Sequence, residues 1–218
     1  RIYGILNGTS NYILTNMLST KESFSEILQK AQALGYAESD PSFDINGIDT
    51  AHKLSILSAI AFNINTKLSD IFVEGIKGIE LIDLIYAESL GYKIKLLGIS
   101  QIKKKKIFNF VYPCLIDKRE SIATVDGVYN GIVVESDFCK KSFFQGQGAG
   151  SYPTATSVFS DIINISNNKI NHFGNWLEEK KIENKQINDR FGCYYLRFTT
   201  IDKPGVISGI SQEFKKNK

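Results

Sequence analysis

The stretch from 92 to 116 constrains the fold most, because apolar and polar side chains alternate there with a period of two. A first apolar set is followed, across the lysine run 103–106, by a second apolar segment at Ile107–Ile116. This pattern predicts a β-hairpin with the lysines in a solvated turn. A phosphate or nucleic-acid patch is the weaker interpretation, because no aromatic residues are interleaved with the lysines. The first apolar set is Tyr92, Ile94 and Leu96.

Two segments with helical periodicity precede the hairpin, so the sequence predicts a protein of mixed α and β structure. The first, Ser23–Gly35, opens with a capping-box pair of Ser23 and Glu26 and ends at a glycine. The second has Asn46 as its expected N-cap and runs to about Asn63. Its apolar residues cover nearly the whole circumference, which predicts a buried helix. Between them, Pro, Ser, Asp, Asn and Gly predict a loop.

The remainder of the chain predicts further strands and helices. A short strand is predicted at Gly131–Glu135, a glycine-rich loop at Gln145–Gly150 and a helix with proline in its first turn at Pro153 to about Ile165. A polar linker follows at 167–189. The last elements are a strand at Tyr194–Ile201, a turn at Asp202–Gly205 and a helix from Val206 onward.

Composition argues against several classes of protein. A formal net charge of +3 gives no support for nucleic-acid binding or for a membrane-surface protein. No apolar run reaches the roughly 18 residues of a membrane span, and no signal peptide is apparent, so we expect a cytoplasmic protein. Two histidines and three scattered cysteines, the latter expected to be reduced thiols, predict no metal cluster.

Four ionisable residues, Glu38, Asp44, Asp49 and Lys53, occupy a short span. Asp49 and Lys53 are one helical turn apart, and their face is expected to continue into the core through isoleucines 56 and 60. Charges on a buried face are costly unless they are paired or used. An ordinary solvated ion pair with Glu38 as a surface charge is the simpler interpretation, and an isolated pair would favour it.

The acidic loop in front of the pair makes a pocket for a small zwitterion the competing interpretation. Carboxylates would hold an ammonium group, and Lys53 would move a proton on a hydroxyl or carbonyl oxygen. Ile5–Tyr12 would offer backbone N–H groups to a carboxylate, although it also fits a plain turn before a helix. The Gln145–Gly150 loop would place backbone against a cofactor ring or phosphate, although many such loops are only turns.

Together these segments resemble the homoserine dehydrogenase family over residues 1 to about 166. The resemblance implies an open mixed β-sheet with helices on one face, in an α/β fold of the α+β type. It also implies reduction of aspartate 4-semialdehyde to homoserine with NADPH or NADH, on the route to threonine, isoleucine and methionine. The matching stretches are Gly4–Ile13, Ala33–Pro41, Asp44–Lys53 and Gly146–Ala155.

The resemblance also implies roles for individual residues. Lys53 matches the catalytic lysine, and Asp49 falls with it in the catalytic set. The substrate-binding positions fall on Glu38, Asp44, Asp49, Tyr36, Gly8 and Thr9. The positions that line the cofactor fall on Gly35, Gly146, Gly148 and Gly150.

Four regions are expected: a substrate-binding and catalytic domain at 1–145, the glycine loop and its helix at 146–166, a linker at 167–190, and the start of a truncated ACT-like regulatory domain at 191–218. An allosteric amino acid is expected at the last of these. The sequence begins at Arg1 and its only methionine is Met17, so we expect a fragment, although processing gives the same appearance.

The resemblance implies that the missing upstream part holds a Rossmann nucleotide-binding domain, a further lysine and a monovalent-cation site. The full protein is expected to be a homodimer or homotetramer, and this chain alone to be inactive. Two alternatives are a non-catalytic amino-acid-sensing module and a related dehydrogenase of another amino-acid aldehyde. The helix after Pro153 carries an apolar stripe that we expect to be exposed here and to pack on the missing domain. The alternative is that the stripe caps its own sheet; it consists of Ala155, Val158, Phe159, Ile162 and Ile163.

Overall fold

A seven-stranded mixed β-sheet organises the computed structural model, which describes residues 1–167, 183–184, 187–189 and 192–216. The strand order is β2-β4-β3-β1-β5-β6, and β7 pairs with β4 beside β2. The β2–β4 and β4–β7 pairs are parallel and the others antiparallel. The strands are β1 Ile2–Ile5, β2 Phe72–Val73, β3 Tyr92–Lys103, β4 Lys106–Asp117, β5 Tyr129–Ser136, β6 Lys140–Gln147 and β7 Glu183–Asn184.

The lysine turn joins β3 and β4, as the sequence predicts. Lys104 and Lys105 both have positive φ, of 52° and 60°. Two left-handed residues between paired strands form the type of turn whose twist suits a β-hairpin. The register runs without interruption from Lys103↔Lys106 to Tyr92↔Asp117.

Helices pack on one face of this sheet and enclose the larger hydrophobic core. The α-helices are α1 Gly8–Thr20, α2 Phe24–Ala33, α3 Ser42–Ile45, α4 Ile48–Phe62, α5 Leu81–Ser89, α6 Ser151–Ser166 and α7 Val206–Lys216. Helices α1, α4 and α5 contact β3 directly. Ile13, Met17, Leu54 and Leu84 are among their side chains in this core, where they meet Leu96 of β3.

The sequence predicts α2 well and α4 only in part. Ser23 caps α2 and forms the expected capping box with Glu26. The N-cap of α4 is Gly47 in the left-handed region (φ 82°), not Asn46, and it provides no side-chain cap. The face of α4 below Lys53 is not buried either, because Ile56 is 59% and Ile60 is 56% exposed.

The opposite face of the sheet carries a second, smaller core. Strand side chains such as Tyr3, Leu97, Ile99 and Val133 meet the 3-10 turn at Ser121–Thr124 there. This turn and the segment after it lie between β4 and β5.

The segment after β5 differs from expectation in one respect and agrees in another. Gln145–Gln147 are strand residues of β6, so only the second half of the predicted glycine loop is irregular. Helix α6 begins at Ser151 and includes Pro153 in its first turn. Its apolar stripe is exposed, as predicted: Val158 51%, Phe159 65%, Ile162 54% and Ile163 55%.

The C-terminal part matches the prediction at its helix but not at its strand. Helix α7 begins at Val206, as expected, after a turn in which Gly205 has φ 94°. Residues 194–201 are predicted to form a strand, yet they pair with no strand in the part of the chain that the structure describes. Most of the predicted linker at 167–190 lies outside the described residues.

The C-terminal segment is nevertheless attached to the sheet domain. The phenol of Tyr195 donates a 2.9 Å hydrogen bond to Oδ1 of Asp83, and Nε of Arg197 donates one of 2.7 Å to the same atom. Arg197 also reaches the carboxylate of Glu80 at 2.8 Å. Asp83 is buried in the first turn of α5, so a paired carboxylate holds the segment in place.

Among the described helices, none combines the length and the hydropathy that crossing a membrane requires.

Candidate active site

Asp49 and Lys53 form the ion pair that their spacing on α4 predicts. Nζ of Lys53 lies 2.7 Å from Oδ2 of Asp49. The same ammonium group donates a 3.1 Å hydrogen bond to the backbone carbonyl of Leu6, just after β1. The pair is accessible at the lysine, whose side chain is 46% exposed, and more enclosed at the aspartate, at 18%. Lys53 is therefore held between α4 and the end of β1, with nearly half of its side chain exposed.

A second carboxylate, that of Asp44, is joined to this pair through Asn7. The amide nitrogen of Asn7 donates to Oδ1 of Asp44 at 2.7 Å and to Oδ2 of Asp49 at 2.8 Å. Asn7 is only 5% exposed. Two acids from different helices thus share one buried amide, and Lys53 balances part of their charge.

Asn7 lies in the candidate segment Ile5–Tyr12, but the sequence assigns it no role of its own, because a neutral amide does not stand out beside charged groups. A usable signal was present, since asparagine is a preferred N-cap and Asn7 precedes Gly8 and Thr9. In the structure Asn7 caps α1 by accepting a 2.8 Å hydrogen bond from the backbone of Ser10. The segment Ile5–Tyr12 is therefore the end of a strand followed by the first turn of a helix.

Gly8 and Thr9 occupy the first two positions of α1, next to the acids. The first N–H groups of a helix have no acceptor within it, so these two remain available to an anion. The hydroxyl of Thr9 is already used, because it donates a 2.6 Å hydrogen bond to the carbonyl of Tyr36. A side chain at Gly8 would meet the carbonyl oxygen of Val128 at 2.8 Å, so only glycine fits here without a shift.

Glu38 lies apart from the acid cluster in its hydrogen bonding. Its side chain is exposed and, among the described residues, accepts no hydrogen bond and forms no ion pair. Its backbone carbonyl is anchored by the side chain of Gln32 at 3.0 Å. The ring of Tyr36, on the same loop, packs against that of Tyr12 with centroids 5.0 Å apart. The structure thus unites two of the three predicted acids and leaves the third on an anchored loop.

The short helix α3, which carries Asp44, is fixed by close backbone packing. A Cβ atom on Gly75 would lie 2.1 Å from the carbonyl oxygen of Ile45, so the two backbones are in direct contact. The hydroxyl of Ser10 donates to the carbonyl of Asp44 at 3.1 Å. The position of Asp44 is therefore set from both α1 and the segment after β2.

A buried lysine supports α1 from behind. Nζ of Lys95 donates to Oδ1 of Asn11, to the carbonyl of Val125 and to Oδ1 of Asp126, at 2.9, 2.7 and 2.8 Å. Burial lowers the pKa of Lys95, and its bond to Asp126 only partly offsets that effect. For Asp126, burial acts to raise the carboxyl pKa, but its bonds to Lys95 and Lys93 outweigh this and lower it. These contacts fix the helix whose first turn borders the acid cluster.

The four glycines assigned to the cofactor differ in their surroundings. Gly35 (φ 74°) and Gly146 have open space where a Cβ atom would lie. Gly148 packs on the side chain of Asn130, whose amide nitrogen would be 2.1 Å from an added Cβ. Gly150 has φ 116° and precedes α6. Open backbone at the first two positions is compatible with the approach of a flat ring.

Comparison with known proteins agrees with this arrangement of motifs. The family model for homoserine dehydrogenase matches residues 1–163. The homoserine dehydrogenase of Helicobacter pylori is 44% identical over 98% of this chain and 51% of its own length. The chain spans about half the length of the curated relatives it matches.

Two solved structures resemble the fold as well. The homoserine dehydrogenase from Thiobacillus denitrificans matches with a TM-score of 0.80 and 38% identity, over 99% of this chain and 52% of that one. A hyperthermophilic archaeal homoserine dehydrogenase mutant in complex with NADPH matches with a TM-score of 0.63 and 27% identity, over 77% of this chain and 47% of that one. This chain belongs to the homoserine dehydrogenase family.

Proposed function

We propose that the full-length protein containing this chain interconverts L-homoserine and L-aspartate 4-semialdehyde with NADP or NAD. The observation that carries the proposal is the cluster of Asp44, Asp49 and Lys53 beside the first turn of α1. Homoserine has an ammonium group, a carboxylate and a reacting hydroxyl oxygen. The aspartates suit the ammonium group, the first turn of α1 suits the carboxylate, and Lys53 suits the oxygen. The reaction lies on the route to threonine, isoleucine and methionine.

The acids bind the substrate's ammonium group. Each aspartate has one oxygen bonded to Asn7, so Oδ2 of Asp44 and Oδ1 of Asp49 remain as acceptors. The carboxylate of Glu38 is paired with none of the described residues, and from the neighbouring loop it adds a third acceptor. The N–H groups of Gly8 and Thr9 carry the partial positive charge of the N-terminus of α1, so they suit the substrate's carboxylate.

Lys53 transfers the proton. An ammonium group has three N–H donors, and Lys53 uses one on Asp49 and one on the carbonyl of Leu6. The third, which no described residue accepts, is available to the carbonyl oxygen of the semialdehyde. In the direction of reduction Lys53 protonates that oxygen as a hydride reaches the carbon, and in the reverse direction the neutral amine removes the hydroxyl proton.

The glycines at 35, 146, 148 and 150 hold the cofactor, whose nicotinamide ring supplies or accepts the hydride when bound. Support comes from the open backbone at Gly35 and Gly146 and from the related archaeal enzyme that was solved with NADPH. Backbone contacts do not separate NADP from NAD, so both stay within the proposal. We place a monovalent-cation site outside this chain, with the nucleotide-binding domain.

The remaining regions complete a larger enzyme. The exposed stripe of α6 packs on a nucleotide-binding domain, and residues 191–218 begin an ACT-like domain that binds a regulatory amino acid. Support for the first comes from exposed Phe159 and Ile162 on a helix directly after the glycine segment. Assembly into a homodimer or homotetramer is part of the same proposal.

The test is an assay of the full-length protein with homoserine and NADP or NAD, beside other hydroxy amino acids. Homoserine should give the highest kcat/KM, and Lys53→Ala should abolish most of it. Preference for another hydroxy amino acid would favour a related dehydrogenase. Normal turnover in the variant would rule out Lys53 as the proton-transfer residue.

A further inference from the structure

Asn7 contacts both acids, and its hydrogen bonds determine which way its amide group is oriented. Its Oδ1 accepts from the backbone N–H of Ser10 at 2.8 Å, so its amide nitrogen must face the other way. That nitrogen has two hydrogens, and the two short bonds to Asp44 and Asp49 use both of them. All the hydrogen-bonding capacity of this buried side chain, apart from one lone pair, is committed to fixed partners.

The consequence lies in which carboxylate oxygens remain free. Without a donor between them, two neighbouring carboxylates repel each other and rotate apart. The amide of Asn7 holds one oxygen of each acid, and Lys53 shares the oxygen of Asp49 that Asn7 uses. The second oxygen of each acid accepts no hydrogen bond from any described residue. One oxygen of each acid is therefore left as an acceptor, on two helices whose carboxylates the Asn7 amide joins.

We propose that Asn7 is a positioning residue that sets Asp44 and Asp49 as a joint receptor for the substrate's ammonium group. The proposal rests on the proposed function and assigns to Asn7 a role that helix capping does not include. Asn7 touches neither the reacting atoms nor the substrate; it acts through the two acids.

Two substitutions separate the bridge from the cap. Asn7→Ser keeps a good N-cap for α1 but is too short to donate to both acids. Asn7→Asp keeps the size and the capping oxygen, but it has no hydrogen to donate when ionised and adds a negative charge. Ser23→Ala is the matched control, because it removes the N-cap of α2, and the hydroxyl of Ser23 bonds to Ser25 and Glu26.

We expect the homoserine KM of the full-length enzyme to rise about tenfold in Asn7→Ser, because bonds to charged groups are lost. In Asn7→Asp it should rise about a hundredfold at pH 8, because repulsion is added to that loss. In both variants KM should change more than kcat, and the dissociation constant of the cofactor should stay within twofold of wild type. Ser23→Ala should lower Tm and leave KM unchanged.

A pH series distinguishes positioning from a merely structural effect. Among the residues that the structure describes, the charged groups facing position 7 are Asp44 from α3 and Asp49 and Lys53 from α4. In Asn7→Asp three carboxylates meet, and acidic pH adds one proton that restores a donor between them. The ratio of the variant's KM to the wild-type KM should therefore fall between pH 8 and pH 6.

The possible results lead to different conclusions. Wild-type KM in Asn7→Ser, an equal loss of cofactor affinity, or the same KM increase in Ser23→Ala would each overturn the role of Asn7. If Asn7→Asp fails to fold, Asn7→Ser decides alone. A wild-type enzyme without homoserine oxidation would instead overturn the proposed function, and the role of Asn7 with it.

Discussion

Lys53 donates a 2.7 Å hydrogen bond to the carboxylate of Asp49, one turn earlier on α4. The pair is accessible, so its contribution to folding is small, about 0.5 kcal/mol as for other helix pairs of this spacing. Its accessibility is what a proton-transfer group needs. The structural role of Lys53 and the proton-transfer role proposed for it are therefore separable by mutation.

Lys53→Ala should reduce kcat of the full-length enzyme by about 10²- to 10⁴-fold, the usual contribution of a general acid or base. Lys53→Arg is the matched control, because arginine keeps the charge beside Asp49 but does not release a proton in this pH range. Steady-state kinetics should show both variants impaired. Thermal unfolding should show both within a few degrees of wild type. An active Lys53→Arg variant would contradict proton transfer at this position.

Glu38→Gln should weaken homoserine binding and leave folding intact. Glu38 is exposed and bonded to no described group through its carboxylate, so its loss should change stability by less than about 0.5 kcal/mol. KM for homoserine should rise, while the dissociation constant for the cofactor stays unchanged in a fluorescence titration. Glu22→Gln, at the ion pair with Lys30, is the remote control. Equal weakening of cofactor binding would remove Glu38 from the substrate site.

Gly146 and Gly148 allow a test of the cofactor surface. Alanine at 146 meets nothing within 4 Å, so Gly146→Ala should fold normally. Alanine at 148 meets the side chain of Asn130, so Gly148→Ala should be less stable by about 1–3 kcal/mol. If the cofactor lies against this backbone, Gly146→Ala should lose cofactor affinity without losing stability. Unchanged affinity would remove Gly146 from the cofactor site.

Asp83→Asn should release the C-terminal segment. Burial and the bond to Asp83 raise the pKa of Tyr195 to about 12. Removing the negative charge should lower that pKa, and an ultraviolet titration compared with Tyr195→Phe isolates this phenol from the other tyrosines. An unchanged titration in Asp83→Asn would mean that the contact does not form in solution.

The same variant should change stability in acid. Burial acts to raise the pKa of Asp83, but its bonds to the backbone of Glu80, to Arg197 and to Tyr195 lower it overall. A lowered folded-state pKa gives stability that is present above the pKa of an unfolded aspartate and is lost as pH falls through the folded value. The stability difference between wild type and Asp83→Asn should therefore be constant above about pH 5 and shrink below about pH 4. Urea unfolding at a series of pH values measures it.

Phe159→Ala should destabilise the full-length protein by about 3 kcal/mol or more if α6 packs on another domain. In the present chain Phe159 is 65% exposed, and a side chain that stays exposed would cost about 0.5 kcal/mol or less. Tyr152→Ala, at an 86% exposed position of the same helix, is the control. Equal, small effects would show that the stripe has no partner in the full-length protein.

Local patterns in the sequence predict much of this fold. The capping box of α2 and the lysine hairpin depend on residues close together in sequence, and both are confirmed. The prediction that α4 is a buried helix was wrong. An apolar residue such as Ile56 gives the same sequence pattern whether its side chain faces a core or an exposed surface. The strand predicted at 194–201 has the right alternation, but alternation does not provide a neighbouring strand.

The sequence predicts the ion pair of the site but not how its other residues are arranged around that pair. The spacing of Asp49 and Lys53 predicts their contact directly, because four residues span one helical turn. The bridge from Asn7 to Asp44 joins residues 37 positions apart through a neutral side chain. A search for charged clusters does not find such a residue, and only the packing of α1 against α3 reveals it.

Strand β1 lies between two partners that are synthesised much later. Ile2 pairs with Ser100 of β3 on one side and with Val134 of β5 on the other. At the usual pace of translation of about 5–20 residues per second, Val134 follows Ile2 by about 7 to 26 seconds. Contacts so distant in sequence slow folding, because a long loop must close before they form. During that interval the acid cluster cannot assemble, since Leu6 and Asn7 take their positions from this strand. The nascent chain therefore depends on keeping a short apolar strand out of aggregates until β3, its first partner, has been made.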